Sequence, residues 1–462
     1  MSKARIERDL LGKREVPATA YWRIHTLRAV ENFSISGQTI GHMPDLVAAL
    51  TAIKQAAALA NADLVLLSTA RRDAIVEACK EIRAGHLHEH FVVDQIQGGA
   101  GTSTNMNANE VIANRALEIL GHARGAYHHV HPNEHVNLSQ STNDVYPTAL
   151  KISTWLGLHR LIEALASLRA AFAAKATDFT DVVKMGRTQL QEAVPMTLGQ
   201  EFNAFAITLG EDEARLAESA ELVREINLGA TAIGTGILAH PDYPARVRAH
   251  LAEIIGVPIV TSPDLVEATQ DCGSFVHVSS ALKRAAVKLS KICNDLRLLS
   301  SGPRTGFGEI NLPAQQAGSS IMPGKVNPVI PEVVNQVAFE VIGNDVTVTF
   351  AAEAGQLQLN AFEPIIAYSL FRSIAHLTAA CATLETRCVR GITANSNSLR
   401  QGVEGSIGIV TALSADIGYV AATELALEAH QTGRGVYELV MEKGLMPRER
   451  LDQLIRQQWF AV

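Results

Sequence analysis

The sequence predicts an all-α protein built around a bundle of long helices. Three observations support this fold class. Apolar residues recur at steps of three and four over long stretches, alternating strand-like patterns are scarce, and no repeating strand–helix–strand unit is recognisable. With 462 residues, 47% of them hydrophobic, the chain is long enough to bury a large core and to form more than one domain.

Three segments carry the helical pattern most clearly. In residues 150–174 and 282–299 the apolar side chains form a helical stripe, and residues 331–350 begin with a proline, which suits a first helical turn. Several of these segments are apolar on more than one face. Such helices lie inside a bundle or bury a second face against another subunit, so we expect a long-helix bundle that oligomerises.

Composition and charge exclude several classes of function. The net charge of −7 and the lack of a basic run argue against binding to nucleic acid or to a membrane. The sequence has no run of about 18 uninterrupted apolar residues, so we expect no membrane-spanning helix. The charged N-terminus does not resemble a signal peptide. The five cysteines are scattered through apolar patterns, which favours reduced structural thiols over a catalytic cysteine. We therefore expect a cytoplasmic protein.

Two polar segments precede predicted helices in the first third of the chain. The segment QGGAGTSTNMNANE (97–110) combines three glycines with hydroxyls and amides, which indicates either an anion-binding turn or an ordinary turn with a helix cap. The segment HPNEHVNLSQSTNDVYPTA (131–149) has Ser141, Thr142 and Asn143 just before a long helix. These residues either favour a bound carboxylate or phosphate or simply cap the helix.

Two further polar segments lie later in the chain. The segment KMGRTQLQEAVPMTLGQEF (184–202) supplies Thr188 and Gln189 as uncharged groups, and ordinary loop polarity is the alternative interpretation. The segment GSSIMPGKVNP (318–328) superficially resembles a phosphate-binding loop. It lacks the glycine that this motif requires at position 319 and the hydroxyl residue after Lys325, and no predicted strand precedes it.

The four segments together indicate a site for a small polar anion. They offer hydroxyls, amides and one lysine, with no cofactor fingerprint, and the histidine clusters at 86–90 and 128–135 lack convincing metal-ligand spacing. We therefore expect no metal site. A serine in the glycine-flanked loop could act as a base if N–H groups and Lys325 stabilise its alkoxide.

As a set and in this order, the four segments resemble the site-forming regions of the aspartase/fumarase superfamily. The likeness covers almost the whole chain. It implies a three-domain all-α fold with a central long-helix bundle, divided at 1–142, 143–398 and 399–462. It also implies a homotetramer with a tetrameric helical core and active sites shared by three subunits. No cofactor would be required, although some members are activated by divalent cations.

Within the superfamily the chain is more similar to aspartases than to fumarases. The segments QGGAGTSTNMN (97–107), EINLGATAIGTG (225–236) and AAEAGQLQLNAFEP (351–364) carry this likeness. Fumarases also have Thr-His where this chain has Thr188 and Gln189, and aspartases occur with either residue. The resemblance implies reversible anti-elimination of ammonia from L-aspartate, a dicarboxylate, to give fumarate through an aci-carboxylate intermediate.

The resemblance also assigns roles to individual residues. Ser319 would remove the proton at C3, within a loop that Gly318 and Gly324 allow to close over the substrate. The remaining groups would bind substrate: Thr102, Ser141, Thr142 and Ser320 at the β-carboxylate, Lys325 and Asn327 at the α-carboxylate, and Asn143, Thr188 and Gln189 around the amino group.

Several alternatives and departures stay open. A fumarate hydratase of the class II type would use the same loops, and so would a lyase for an N-substituted aspartate. A structural member without activity is disfavoured because the site residues are present. The chain also departs from the family pattern: Arg23 replaces a commoner glycine, Glu134 replaces an aspartate near a secondary anion site of fumarases, and Glu332 lacks the histidine that it supports in fumarases.

Overall fold

The computed structural model describes residues 4–459, and helices dominate this part of the chain, which confirms the predicted all-α class. The α-helices are α1 (Ile24–Asn32), α2 (Pro44–Asp63), α3 (Thr69–Arg83), α4 (Thr102–Ile119), α5 (Thr142–Asp178), α6 (Leu198–Leu222), α7 (Tyr243–Ile255), α8 (Leu265–Gln270), α9 (Gly273–Leu299), α10 (Val329–Glu353), α11 (Glu363–Arg387), α12 (Ser396–Gly405), α13 (Ile409–Ile417), α14 (Tyr419–Thr432), α15 (Val436–Glu442) and α16 (Arg448–Trp459).

Strands are short and form two-stranded sheets within the described residues. The strands are β1 (Ala4–Asp9), β2 (Gly12–Pro17), β3 (Val183–Thr188), β4 (Gln191–Thr197), β5 (Glu225–Ile226), β6 (Val260–Thr261), β7 (Ile310–Asn311) and β8 (Thr393–Ala394). β1–β2, β3–β4 and β7–β8 pair antiparallel, and β5–β6 pair parallel. The β3–β4 hairpin was not predicted, and it turns out to carry two of the predicted site residues.

The long helices confirm the helical segments read from the sequence. The stripes at 150–174 and 282–299 lie inside α5 and α9. α10 begins at Val329, which places Pro331 in its first turn, where a proline costs no intrahelical hydrogen bond. α5 runs for 37 residues with Pro147 inside it, and the Asn143 carbonyl that this proline leaves unpaired accepts from Asn227 Nδ2 at 3.0 Å.

The chain divides into two compact units. The first contains the chain up to Ile162, Ala214–Arg284 and Glu340–His376, and the second contains Glu163–Glu213, Ala285–Phe339 and the chain from Leu377 onward. The helices α5, α6, α9, α10 and α11 each contribute residues to both units.

Buried polar contacts join the long helices within each unit. In the first unit, Asp345 of α10 accepts from Ser279 Oγ at 2.8 Å and from Lys283 Nζ at 2.6 Å, both on α9. In the second unit, Asn335 Nδ2 of α10 donates to Ser290 Oγ of α9 at 2.8 Å. Because a buried polar group is costly when unpaired, these bonds help to fix how the helices are aligned.

Each unit also has a core outside the long helices. In the first unit, α2 packs against α3 and α7 and is buried on nearly every face, and even Lys54 is fully buried there. In the second unit, Val183 and Met185 of β3 pack against apolar side chains of α12–α16. The second core therefore anchors the first strand of the β3–β4 hairpin.

One described segment, Glu363–Gly391, is long and apolar enough to cross a membrane by length and composition alone. Half of its most apolar window is buried inside the protein. Arg372 and His376 interrupt it, and both pair with Glu340 of α10. These polar contacts are typical of a helix packed in a protein core, which is how we interpret α11.

Candidate active site

The predicted site residues fall into two groups, one in each unit. Thr102, Ser141, Thr142 and Asn143 lie in the first unit. The second unit carries Thr188, Gln189, Ser319, Ser320, Lys325 and Asn327. We describe the two groups separately.

A tight glycine turn precedes α4 and places Thr102 at the first position of that helix. Gly99, Ala100 and Gly101 all have positive φ angles, between 54° and 89°. A Cβ on Gly101 would lie 2.4 Å from the ring of Tyr146 in α5, so only glycine allows this close approach. The Thr102 hydroxyl donates to the Gly99 carbonyl at 2.7 Å, which leaves the hydroxyl oxygen able to accept a hydrogen bond.

The start of α5 is held by a reciprocal pair of capping bonds. Ser141 Oγ accepts from the Asn143 backbone N–H at 3.2 Å, and Asp144 Oδ1 accepts from the Ser141 N–H at 3.0 Å. The capping interpretation of Ser141 is therefore correct, but it leaves the hydroxyl hydrogen of Ser141 without an acceptor among the described residues. That hydrogen is available to an anion.

Asp144 is the buried support of this helix start. Its Oδ2 accepts from the N–H groups of Gly229 and Thr231 at 3.1 and 3.0 Å, which ties the EINLGATAIGTG segment to α5. Burial raises the pKa of Asp144 to about 6, although its backbone hydrogen bonds oppose the shift. Asn143 joins the same contact, because its Nδ2 donates to the Ala232 carbonyl at 2.8 Å. The Asn143 side-chain oxygen is thereby left to accept.

A buried group of amides beneath Ser141–Asn143 was missed in the sequence. Asn137 Oδ1 accepts from Lys54 Nζ at 2.8 Å and from the Nδ2 atoms of Asn105 and Asn109, each at 3.2 Å. The signal that could have found it is a lone lysine in the middle of the apolar, alanine-rich helix α2. A fully buried lysine needs such partners, because an unpaired ammonium is costly in an apolar core.

Thr188 and Gln189 lie at the tip of the β3–β4 hairpin. Thr188 pairs with Gln191, so Gln189 and Leu190 form a two-residue loop. Their φ angles are 54° and 65°, which matches the turn that two-residue hairpins favour, usually with asparagine and glycine. Both side chains are exposed. Residues other than glycine with a positive φ angle cluster at functional sites.

Buried charges fix this hairpin in the second unit. Lys184 Nζ of β3 lies 2.7 Å from Glu201 Oε2 and 2.6 Å from Glu309 Oε2, and Glu309 also pairs with Arg187. The Arg187 guanidinium stacks over the ring of Phe307 at 4.3 Å. Burial raises the pKa of Glu201, and Lys184 opposes that shift. A cavity of about 290 Å³ lies beside this cluster, and Gln189 is among its lining residues.

The 318–328 loop closes on itself rather than packing into a core. The Gly318 N–H donates to the Lys325 carbonyl at 2.8 Å, and Asn327 Nδ2 donates to the Gly318 carbonyl at 2.9 Å. A Cβ on Gly318 would lie 2.6 Å from the Lys325 carbonyl oxygen, which explains the glycine there. Ile321 is 83% exposed.

Ser319 lies in this loop with its hydroxyl oxygen bound by backbone N–H groups. Its Oγ accepts from the backbone N–H groups of Ile321 and Met322 at 3.2 and 2.9 Å. Two N–H donors on the same oxygen favour its deprotonated form. Ser320 and Lys325 are exposed on the same loop, and Lys325 has no ion-pair partner among the described residues. The lysine is thus free to meet an anionic ligand.

Two departures from the family pattern, Arg23 and Glu134, lie in the first unit, and Glu332 lies in the second. Arg23 Nε donates to Glu7 at 2.9 Å, and its guanidinium stacks over Tyr127 at 4.4 Å. Glu134 lies in a single π-helical turn, Pro132–Val136, whose start is capped by His131. Glu332 lies in the first turn of α10.

Two alternatives considered from the sequence were a metal site and a catalytic cysteine. These residues contain no group of three or more histidine, cysteine or carboxylate side chains that could hold a metal ion. All five cysteines are buried, and burial raises their pKa values, that of Cys79 to about 12. A raised pKa disfavours the thiolate that a catalytic cysteine needs.

Comparison with known proteins places the chain in a family. A family model described as "Lyase" matches residues 12–343, and a model described as the C-terminus of fumarase C matches residues 409–459. The first match covers more than half of the chain, so the chain belongs to this lyase family. Its predicted place in the aspartase/fumarase superfamily is confirmed.

Individual relatives cover nearly the whole chain. The aspartate ammonia-lyase of Pseudomonas fluorescens is 62% identical over 453 residues, which are 98% of this chain and 95% of the relative. Among solved structures, "fumarate lyase:delta crystallin" from Brucella melitensis bound to cobalt is 56% identical, with a TM-score of 0.96 and 98% of each chain covered. A class II fumarase from Schistosoma mansoni is 32% identical, with a TM-score of 0.94 and coverage of 99% of this chain and 100% of that one.

Proposed function

We propose that this protein is an aspartate ammonia-lyase, a carbon–nitrogen lyase that interconverts L-aspartate with fumarate and ammonia. A relative that carries this name is 62% identical to this chain, whereas the class II fumarase is 32% identical. One observation carries the chemistry: Ser319 Oγ accepts two backbone N–H bonds in an exposed loop that also carries Lys325. A serine whose alkoxide is stabilised in this way can remove a proton from the carbon next to a carboxylate.

The first step is removal of the C3 proton by the Ser319 alkoxide. The two N–H groups that point at Oγ stabilise the negative charge on the serine before the proton moves. Loss of the proton turns the adjacent β-carboxylate into a doubly charged aci-carboxylate. The stabilisation of that charge by preorganised donors is where much of the rate enhancement arises.

The β-carboxylate is held by hydroxyl donors at the start of α5. Ser141 and Thr142 each accept a hydrogen bond from the protein, so each directs its own O–H hydrogen away from that bond. Ser320 adds a third hydroxyl from the loop. Thr102 contributes once its hydroxyl rotates away from the Gly99 carbonyl. These neutral hydroxyl groups donate hydrogen bonds to the negative charge that develops on the β-carboxylate, and no cation is needed there.

The α-carboxylate and the amino group are held by different residues. Lys325 supplies the cation for the α-carboxylate, and Asn327 joins it when the loop closes over the substrate. The amino group lies among Asn143, Thr188 and Gln189. The Asn143 side-chain oxygen is free to accept, because its Nδ2 already donates to Ala232. A neutral Gln189 likewise accepts from an ammonium group, which a protonated histidine would repel.

We further propose that the active protein is a homotetramer whose sites combine loops from three subunits. Support comes from α10, where Phe339, Val346 and Phe350 share one helical face and are 62%, 53% and 69% exposed. An apolar face of this kind on a long helix suits burial against a second copy of the same chain.

No prosthetic group enters this proposal. The described part of one chain offers no three-ligand metal cluster, and we derive no step through a metal. Activation by divalent cations remains part of the proposal, because the Brucella melitensis relative was solved bound to cobalt. Addition of Mg²⁺ to metal-free enzyme during turnover tests it. We also infer that the protein works in the cytoplasm, where its five buried cysteines stay reduced.

Ultraviolet absorbance of fumarate, followed separately from L-aspartate and from L-malate, tests the proposed function. The proposal predicts much faster fumarate release from L-aspartate. Faster release from L-malate would instead identify a fumarate hydratase. Addition to fumarate of a substituted amine in preference to ammonia would identify a lyase for an N-substituted aspartate.

A further inference from the structure

We propose that the buried Lys54 is a positioning residue for the reaction, because it sets the direction of a hydrogen-bond chain that ends at the Thr142 hydroxyl. Because these hydrogen bonds run from Lys54 toward Thr142, the Thr142 hydroxyl is left to donate to the substrate carboxylate. The inference rests on the proposed function, which gives Thr142 that carboxylate.

In its ammonium form Lys54 can only donate, and this property determines the orientation of the neighbouring amides. Its side chain is fully buried in α2, and Nζ donates to Asn137 Oδ1 at 2.8 Å and to Gln140 Oε1 at 2.9 Å. An ammonium has three donors and no acceptor, so both amides must turn their oxygens toward it. Burial lowers the pKa of Lys54 to about 7, and the neutral amine still has two hydrogens for these two bonds.

The second link of the chain passes through Asn105. Because Asn137 presents its oxygen, the neighbouring Asn105 must present its amide nitrogen, which lies 3.2 Å from Asn137 Oδ1. The same nitrogen donates to Thr142 Oγ at 3.0 Å. The Asn105 side-chain oxygen is buried and has no hydrogen-bond partner among the described residues. The two hydrogen bonds donated by the Asn105 nitrogen therefore determine the orientation of this amide.

The last link decides what Thr142 offers to a ligand. Its oxygen accepts from Asn105, and its own hydrogen has no acceptor among the described residues, so the hydrogen is free for an anion. With the chain reversed, Thr142 would donate to Asn105 and turn a lone pair toward the carboxylate. A protonated lysine at the far end excludes the reversed arrangement without touching the substrate.

A matched pair of substitutions separates the effect of the hydrogen-bond direction at Thr142 from a general loss of packing in the buried amide group. Asn105→Asp replaces the donor facing Thr142 with an acceptor, which reverses the final bond. Asn109→Asp puts the same carboxylate on the other amide that donates to Asn137 Oδ1 at 3.2 Å, but Asn109 has no recorded bond to Thr142. We expect Asn105→Asp to weaken the binding of succinate, a dicarboxylate, at least about tenfold more than Asn109→Asp, at similar losses of thermal stability.

A double-mutant cycle between Lys54→Met and Thr142→Val tests the coupling directly. Calorimetric titration with succinate, a dicarboxylate without an amino group, measures binding in folded tetramers of all four proteins. We expect each single variant to weaken succinate binding about tenfold and the double variant to bind no more weakly than Thr142→Val. If Lys54→Met does not fold, the Asn105 and Asn109 pair decides the question.

Different outcomes contradict the inference and the proposed function. Additive losses in the cycle, or equal effects of the two asparagine variants on succinate binding, would overturn the role of Lys54. Failure of the wild-type protein to release fumarate from L-aspartate would overturn the proposed function instead. Because succinate binding requires no turnover, the cycle can be measured in either case.

Discussion

Lys184 and Glu309 form a buried ion pair, with Nζ 2.6 Å from Oε2 and side-chain exposures of 2% and 4%. This pair joins β3 to the segment that precedes β7, and Arg187 shares the same carboxylate. The hairpin that ends in Gln189 is thereby held at its base by charges that are shielded from water.

Removal of one partner of this pair should loosen the hairpin. We expect Glu309→Gln to lower the free energy of unfolding by about 3 to 5 kcal/mol, because Lys184 loses one of its two carboxylates in a buried position. Chemical denaturation measures the loss. Asp295→Asn is the control, because its pair with Lys291 is exposed and should contribute less than about 1 kcal/mol. Equal losses in the two variants would refute the structural role of the buried pair.

Gln189 should favour the ammonium group over a hydroxyl. We expect Gln189→His to lower kcat/KM for L-aspartate, with the largest loss below about pH 6.5, where an imidazole is protonated and repels the substrate cation. Initial rates of fumarate release between about pH 6 and 8.5 measure this. Gln191→His places the same side chain at the start of β4 and should show a smaller, flatter effect. A pH-independent loss at position 189 would contradict the explanation.

Glu363 should make stability depend on pH. Its side chain is buried, and burial raises its pKa from 4.5 to about 8, although Lys151 opposes the shift. Between these two values the folded protein keeps a proton that the unfolded chain has released, so the free energy of unfolding falls as pH rises. Glu363→Gln removes this dependence. The variant should gain stability relative to wild type between about pH 5 and 8, by up to about 1.4 kcal/mol per pH unit.

Thermal unfolding across this pH range at constant protein concentration measures the gain. Glu424→Gln, at an exposed position on α14, serves as the control and should show no trend relative to wild type. A constant difference between Glu363→Gln and wild type at every pH would show that Glu363 carries no extra proton in the folded state.

The exposed face of α10 should hold the proposed tetramer together. We expect Phe339→Asp combined with Phe350→Asp to dissociate the protein, because burying two carboxylates in an apolar interface costs more than the contact contributes. Light scattering measures the mass in solution, and activity should fall with it. Val420→Asp places a carboxylate on α14 at a residue that is 71% exposed and should leave the mass unchanged. A double variant that keeps the mass of the wild-type protein in solution would rule out this interface.

The sequence predicted the fold class well because its long helices have strong apolar periodicity. The stripes at 150–174 and 282–299 lie inside α5 and α9, and a bundle helix is specified mainly by such a pattern. The three-domain division at 1–142, 143–398 and 399–462 stays a prediction.

The details of the site depended on contacts that local sequence does not encode. Thr188-Gln189-Leu190-Gln191 contains no asparagine or glycine turn signal, so the hairpin that carries Gln189 could not be predicted. Lys54 lies 83 residues from its partner Asn137, and only the folded chain brings the two together. The glycines of the 318–328 loop were visible, but the two N–H groups on Ser319 Oγ were not.

The central claim is that Ser319 removes the C3 proton of L-aspartate. The most direct measurement is fumarate release by Ser319→Ala, followed by ultraviolet absorbance on protein that light scattering and succinate titration show to be tetrameric and able to bind ligand. We predict that kcat falls by at least about a hundredfold, the range expected for loss of a positioned base, while succinate affinity changes little. A kcat close to that of the wild-type protein would contradict the assignment of Ser319 as the base.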